Sequence, residues 1–205
     1  MKSLSTDAAL VQRLLETIEQ DVLPLTEEAV RRGNKVFGAA LLKKSDRSTF
    51  LAETNNEMES PLHHGEMHLL KRYYELSPAE RLPPGELIFL STHEPCSMCL
   101  SAITWAGFDN FYYFFSHMDS RDAFAIPHDL KILKEVFDVD PGNYHRSNAF
   151  WQCEGIREWI AQQEDALASD TRKALDEKVE SICQRYAEAS RHYQSSKSGN
   201  SIPLN

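Results

Sequence analysis

The 205-residue chain has no apolar run long enough to cross a bilayer, and its opening MKSLSTDAAL lacks the apolar block of a secretory signal. Cysteine is scarce. Of four, two form a Cys-x-x-Cys pair behind a proline, and Cys153 and Cys183 lie far from that pair and from each other. That distribution argues against a disulfide framework and for metal binding in a reducing compartment. The expected location is therefore cytoplasmic, with no membrane partner. Basic residues are in deficit as well: 22 Lys and Arg against 31 Asp and Glu leave a net charge of −9. Polyanion binding leans on Lys and Arg, so a nucleic-acid partner is not expected. No internal repeat or interdomain linker divides the chain, and its length and ordinary composition fit one domain with a substantial core.

What is present is concentrated in two short stretches, His63-His64-Gly65-Glu66 and Glu94-Pro95-Cys96-Ser97-Met98-Cys99. His64, Cys96 and Cys99 form a ligand set that suits Zn²⁺ and leaves its fourth tetrahedral position for water. Glu66, a carboxylate outside that set, is placed to take a proton from the water. Two thiolates offset the charge of the ion, so it acidifies water less than a three-histidine site would, and a nearby acceptor becomes a requirement. Both stretches fall at predicted helix starts. Residues two apart do not share a helix face, so His64 and Glu66 converge only if their helix points end-on at the site. The N-terminal dipoles of the two helices then favour the thiolates and the carboxylate.

Two plainer readings compete. A closed structural zinc site would draw a fourth ligand from Cys153 or Cys183. A metalloprotease helix needs His-Glu-x-x-His, and between His64 and His68 the glutamate comes one position too late.

Taken in order, Thr6-Asp7 predicts a helix cap, followed by apolar positions Leu10, Leu14, Ile18, Val22, Leu25 and Ala29 at helical steps. Pro24 bends this helix and Gly33-Asn34 closes it. Residues 36–42 and 48–54 read as a hairpin around a polar turn, ending at Asn55-Asn56-Glu57. A helix over 63–76 directs Met67, Leu70 and Tyr74 inward. Residues 87–90 form a central strand, 96–106 a helix stopped by Gly107, and 110–115 an aromatic strand. A short helix follows over 129–137, then a turn at Asp140-Pro141-Gly142-Asn143. The stretch 148–194 reads as mostly helical, broken near Ser169-Asp170, and the polar tail from Ser195 is expected to be disordered. Strands alternating with helices predict one sheet between helical layers.

His-x-Glu followed by Pro-Cys-x-x-Cys is the recognised signature of zinc-dependent nucleobase deaminases. The sequence resembles the cytidine and deoxycytidylate deaminase superfamily, and within it the branch of bacterial guanine deaminases, yeast-type cytosine deaminases and tRNA adenosine deaminases. The likeness runs from about Val36 to Asp119. Phe37-Gly38-Ala39 resembles that branch's first strand, and Glu94 to Ala106 follows the guanine deaminase pattern Glu-Pro-Cys-Pro-Met-Cys-Leu-Gly-Ala-Ile-Tyr-Trp-Ala. The resemblance implies an α/β fold, a three-layer α/β/α sandwich with a five-stranded mixed sheet, usually a homodimer. It assigns zinc to His64, Cys96 and Cys99 and the proton shuttle to Glu66. The deaminase domain would span residues 1–160, with a C-terminal helical extension at 161–194 and the tail at 195–205.

The implied function is hydrolytic deamination of a small nucleobase-like substrate, purine favoured, with release of ammonia. A tRNA adenosine deaminase is the alternative, opposed by the net acidity, and a cytosine or cytidine deaminase the second. A zinc-stabilised binding module would keep the cysteines but have no use for Glu66. Substrate contacts are expected from Asn55 (preferred over Asn56 in a shortened loop), from the Gly65 amide and from Glu94. Phe37 and Trp105 would wall the base, and Phe150-Trp151 would form a lid. Asp119, Asp122 and Asp129 lie where guanine deaminases carry a further acid. Where the family commonly reads Asp-Pro-Thr-Ala-His-Ala-Glu, this chain has Ser60-Pro61-Leu62-His63-His64-Gly65-Glu66, and His63 is expected to be exposed.

Overall fold

Asp7 caps the first helix as the sequence predicts: its Oδ1 accepts from the Leu10 backbone N–H at 2.6 Å, and α1 covers Ala8–Thr17. The computed structural model describes residues 5–140, 143–163 and 166–204. A π-helical turn, Ile18–Val22, leads from α1 into α2 (Leu23–Arg31). Pro24 lacks the N–H that a continuous helix would use there, and the widened turn before it absorbs the bend. Gly33, at φ 97°, ends α2. The predicted hairpin follows as β1 (Gly38–Lys43) and β2 (Thr49–Thr54). Next come α3 (Gly65–Glu75), β3 (Leu87–His93), α4 (Ser97–Trp105) and β4 (Asn110–Phe115).

Beyond β4 the structure departs from the reading. Two short helices, α5 (His117–Asp122) and α6 (His128–Phe137), are followed by β5 (Gln152–Gly155) in a stretch read as helical. Gln-Cys-Glu-Gly is too short and too polar to announce a strand. It becomes one by pairing in parallel with β4, Phe111 opposite Cys153 and Tyr112 opposite Glu154. Two helices complete the chain, α7 (Ile156–Gln162) and α8 (Ser169–Ser196). Pro141 and Gly142, the centre of the predicted turn, lie outside the described residues. The described part of the tail, through Leu204, packs back on the fold. A 3₁₀ turn at Lys197–Gly199 leads to Asn200, whose Nδ2 donates to the Gly33 carbonyl at 3.0 Å, and Ile202 is buried. One apolar side chain and one amide give this polar segment something to hold.

The sheet order is β2-β1-β3-β4-β5, with β1 antiparallel to both neighbours and β3, β4 and β5 parallel. Side chains alternate across it. Ala40, Leu42, Ile88, Leu90, Tyr112 and Phe114 pack with α1, α2, α7 and α8, whereas Ala39, Leu41, Leu87, Phe89, Phe111 and Tyr113 pack with α3 and α4. The result is the three-layer α/β/α sandwich with a mixed five-stranded sheet. Leu175, Ile182, Tyr186 and Tyr193 bring α8 into the same core as the sheet. In α3 the inward stripe is Glu66, Leu69, Leu70 and Tyr73, while Tyr74, expected inside, is 51% exposed. Burying Glu66 sets the phase, and an apolar count passes over a charged residue.

His93 ends β3 inside a cage of Phe37, Phe115, Phe124 and Tyr186, with ring centroids 4.6 to 5.5 Å away. Burial drives its pKa down from 6.5 to about 3. The folded value lies below the unfolded one, so as pH falls from 6.5 toward 3 the unfolded chain binds a proton that the folded one refuses. Stability is lost on acidification through that window. A His93→Leu variant should show a shallower fall in unfolding midpoint between about pH 6.5 and 4 than wild type. An unchanged acid limb would place the titration elsewhere.

Candidate active site

The site is assembled where the N-termini of α3 and α4 meet the C-terminal end of β3. His64 is the extended residue before α3 and Cys96 the one before α4. Two bare positions seat α3. A Cβ on Gly65 would lie 2.7 Å from Gly38 Cα and 2.9 Å from its C and N atoms; one on Gly38 would meet Val22 Cγ1 at 2.5 Å. The first turn of α3 therefore rests main chain to main chain on β1, which gives Gly65 a packing reason of its own. Gly65→Ala should cost about 1–3 kcal/mol, because neither backbone can yield cheaply. It should also weaken zinc binding by displacing His64. Denaturant unfolding and zinc titration read both effects, and an alanine variant as stable as wild type would show that α3 can slide.

His64 Nδ1 lies 3.6 Å from Cys96 Sγ and 3.9 Å from Cys99 Sγ, and the three ligand atoms all fall within 4.8 Å of one another. A tetrahedral zinc with bonds of about 2.0–2.3 Å would separate its ligand atoms by about 3.5 Å, so the set fits with little adjustment. Among the described residues no fourth His, Cys, Asp or Glu joins the group. Cys153 lies in β5 and Cys183 in α8, so the closed structural site is not built.

The electrostatics also ask for a cation. Cys96 is held well below the ordinary thiol range, by hydrogen bonding from Cys99 and contact with His64 against the penalty of burial. Burial pushes Cys99 up, and the Cys96 charge adds to it. For His64, burial opposes the charged ring, but contact with Cys96 and the nearby Glu57 and Glu66 outweigh it, raising the pKa to about 9. Glu66 is fully buried; burial first and the Cys96 charge second push its pKa up. Ser91 opposes that shift, its hydroxyl donating to Glu66 Oε1 at 2.7 Å.

Residues 13–115, half of the chain, match the model of the cytidine and deoxycytidylate deaminase zinc-binding region. The chain belongs to that family. It is 30% identical over 112 residues to the guanine deaminase of Bacillus subtilis (strain 168), covering 53% of this chain and 69% of that one. Among solved structures, a mutant of NE0047 in complex with 8-azaguanine aligns with a TM-score of 0.52 at 16% identity, covering 90% of this chain and 98% of that one. At that identity the likeness concerns the fold. A tRNA:A34 deaminase aligns at 24% identity and a TM-score of 0.43, covering 65% and 93%.

Around the candidate ligand cluster, the residues expected to contact substrate are placed as follows. Asn55 is 1% exposed; its Nδ2 donates to Glu57 Oε2 at 2.7 Å, and its Oδ1 has no partner among the described residues. Asn56 turns outward to Glu59. Of the three candidate acids, Asp129, half-buried in the first turn of α6, is the one at the site. Its pKa rises to about 7, through burial first and then the Cys96 charge, with His117 and His64 pulling the other way. Asp119 instead completes a capping box with Ser116 and pairs with Arg157 at 3.1 Å, and Asp122 pairs with Arg121 on the surface.

Other expectations need correction. Trp105 is 91% exposed in the last turn of α4, about 13 Å along the helix from Cys96, and walls nothing in this chain. Phe37 is a core ring, edge-on to His93 at 4.6 Å; its backbone carbonyl, accepting from Asn55 N–H, is what it contributes near the site. Both Glu94 oxygens are engaged elsewhere: Oε2 accepts from His117 N–H and Oε1 from the Tyr144 hydroxyl, fastening the Cys96 turn to α5 and to the loop before β5. Trp151 forms no lid. It is buried against Phe111, with Nε1 donating to Thr104 at 2.8 Å, and Phe150 points to solvent. His63 is not freely exposed either, since it stacks on His68 at 5.7 Å.

The sequence reading missed Glu57, Lys35 and Ser91. Lys35 Nζ donates to Glu57 Oε1 at 2.8 Å, with side chains 6% and 1% exposed, and the same oxygen lies 3.8 Å from His64 Nε2. At that distance the carboxylate acts on the imidazole through its charge, not through a hydrogen bond. Ser91 alone carried a signal, because alternation from Leu87 and Phe89 points it toward α3.

Proposed function

We propose that this deaminase holds zinc through His64, Cys96 and Cys99 and converts the exocyclic amine of a small nucleobase-like ring, purine favoured, into a carbonyl with release of ammonia. The observation that carries the reading is the three-atom ligand cluster within 4.8 Å with the buried carboxylate of Glu66 beside it. When bound, the ion would supply a Lewis acid that lowers the pKa of a water in its open position. Glu66 would take a proton from the attacking water as it adds to the ring carbon bearing the amine. It then passes that proton to the adjacent ring nitrogen. As the added hydroxyl gives up its own proton and becomes the carbonyl, Glu66 carries that second proton to the amine, and the C–N bond breaks to release ammonia. The raised pKa of Glu66 lets one carboxyl accept and release the same proton in turn. Ser91 orients it.

Two features favour a purine: the guanine deaminase relative, and Asp129 at the site as an acceptor for a second ring amine or N–H. The net charge of −9 favours a free small molecule over tRNA. The test is ammonia release by zinc-loaded protein from guanine, adenine, cytosine and their nucleosides. Guanine should lead; no release from any of them would remove the proposal.

A further inference from the structure

The amide of Asn55 is polarised from behind. Lys35 Nζ and Asn55 Nδ2 occupy the two oxygens of Glu57, at 2.8 and 2.7 Å, and all three side chains are buried. An ionised carboxylate only accepts, so Asn55 must offer it the NH₂ end. That leaves the Asn55 carbonyl oxygen pointing away from Glu57, buried and with no partner among the described residues. Lys35 matters because its ammonium can only donate, so it holds the first Glu57 oxygen as an acceptor while the second accepts from the amide.

We infer that Glu57, paired with Lys35, fixes Asn55 as a hydrogen-bond acceptor, so that this deaminase reads a ring N–H on its substrate and rejects a bare ring nitrogen at that edge. The inference rests on the function proposed above and adds a positioning residue outside the metal ligands and the proton carrier. A facing lone pair would meet a carbonyl that cannot rotate away, and a site built to pair with a polar group discriminates strongly against the analogue that lacks it.

The polarity can be tested by exchanging the two groups. Asn55→Asp alone sets two carboxylates face to face, and Glu57→Gln alone frees the amide to reverse. In the double variant the introduced glutamine accepts from Lys35 and donates to the introduced aspartate, whose other oxygen still faces the substrate as an acceptor. Hydrogen bonds and total charge are kept. With zinc-loaded proteins and 8-azaguanine as the calorimetric probe, Asn55→Asp should weaken binding by about 100-fold or more and Glu57→Gln by about tenfold. The double variant should return to within about tenfold of wild type in binding and melt at a higher temperature than Asn55→Asp. A double variant that binds no better than Asn55→Asp, or that fails to fold, overturns the inference. If wild-type protein binds no 8-azaguanine and releases no ammonia from any base, the proposed function falls and takes the inference with it. Binding by wild type without recovery in the double variant removes the inference alone.

Discussion

Replacing Glu66 with alanine should leave one zinc per chain and lower ammonia release by about 10²–10⁴-fold. Glu66 lies outside the candidate ligand cluster, so its loss leaves the three proposed metal donors in place. What disappears is the buried carboxylate bonded to Ser91 beside Cys96, the group proposed to carry a proton from water to the ring. Alanine also opens a cavity at the head of α3. Glu66→Gln is therefore the companion variant: it keeps the volume and the Ser91 contact but cannot shuttle a proton, and it should be equally inactive. Metal content by atomic absorption and turnover by ammonia release separate the two roles. Unaltered turnover in Glu66→Gln would transfer the proton step to another residue, and Asp129 would be the first to examine.

Lys35→Met should destabilise the protein by about 3–5 kcal/mol, the largest effect on stability expected from a single change. The ammonium is replaced by an apolar chain of similar length, so little packing is lost, but Glu57 remains buried with its charge unbalanced. For a chain of this size that loss lowers the melting temperature by roughly 6–20 °C. The control is Lys35→Met combined with Glu57→Gln, which removes both charges and should recover most of the loss. A double variant as unstable as the single one would show that the lysine acts through packing, and the view of Glu57 as an unbalanced charge would be withdrawn.

The parts of this site written into the sequence are those that must be close along the chain. Chelation and proton transfer demand fixed short spacings, so His64 with Glu66, and Cys96 with Cys99, are legible without a fold. The hairpin, the central strand and the capped first helix were legible for a similar reason, since each is set by local alternation or capping. Glu57, Lys35 and Asp129 come together only through packing, and no local pattern marks them. Asp129 could be shortlisted with Asp119 and Asp122, but the choice among them depends on where α5 and α6 turn, which the chain does not announce. β5 was invisible because four residues with no alternating apolar pattern become a strand only beside β4. Aromatics misled in the other direction. Phe37 and Trp151 are core, and Trp105 is surface, although Phe37 and Trp105 were expected to wall the base and Trp151 to form part of a lid.

The seating of Gly65 on Gly38 contains no rotamer. Repacking of neighbouring side chains cannot tune a contact between two main chains, so the distance between the imidazole and the sulfurs is insulated from changes in the surrounding hydrophobic layers. Substitutions in those layers are expected to alter how firmly the molecule holds together without retuning its chemistry, provided these two positions stay bare.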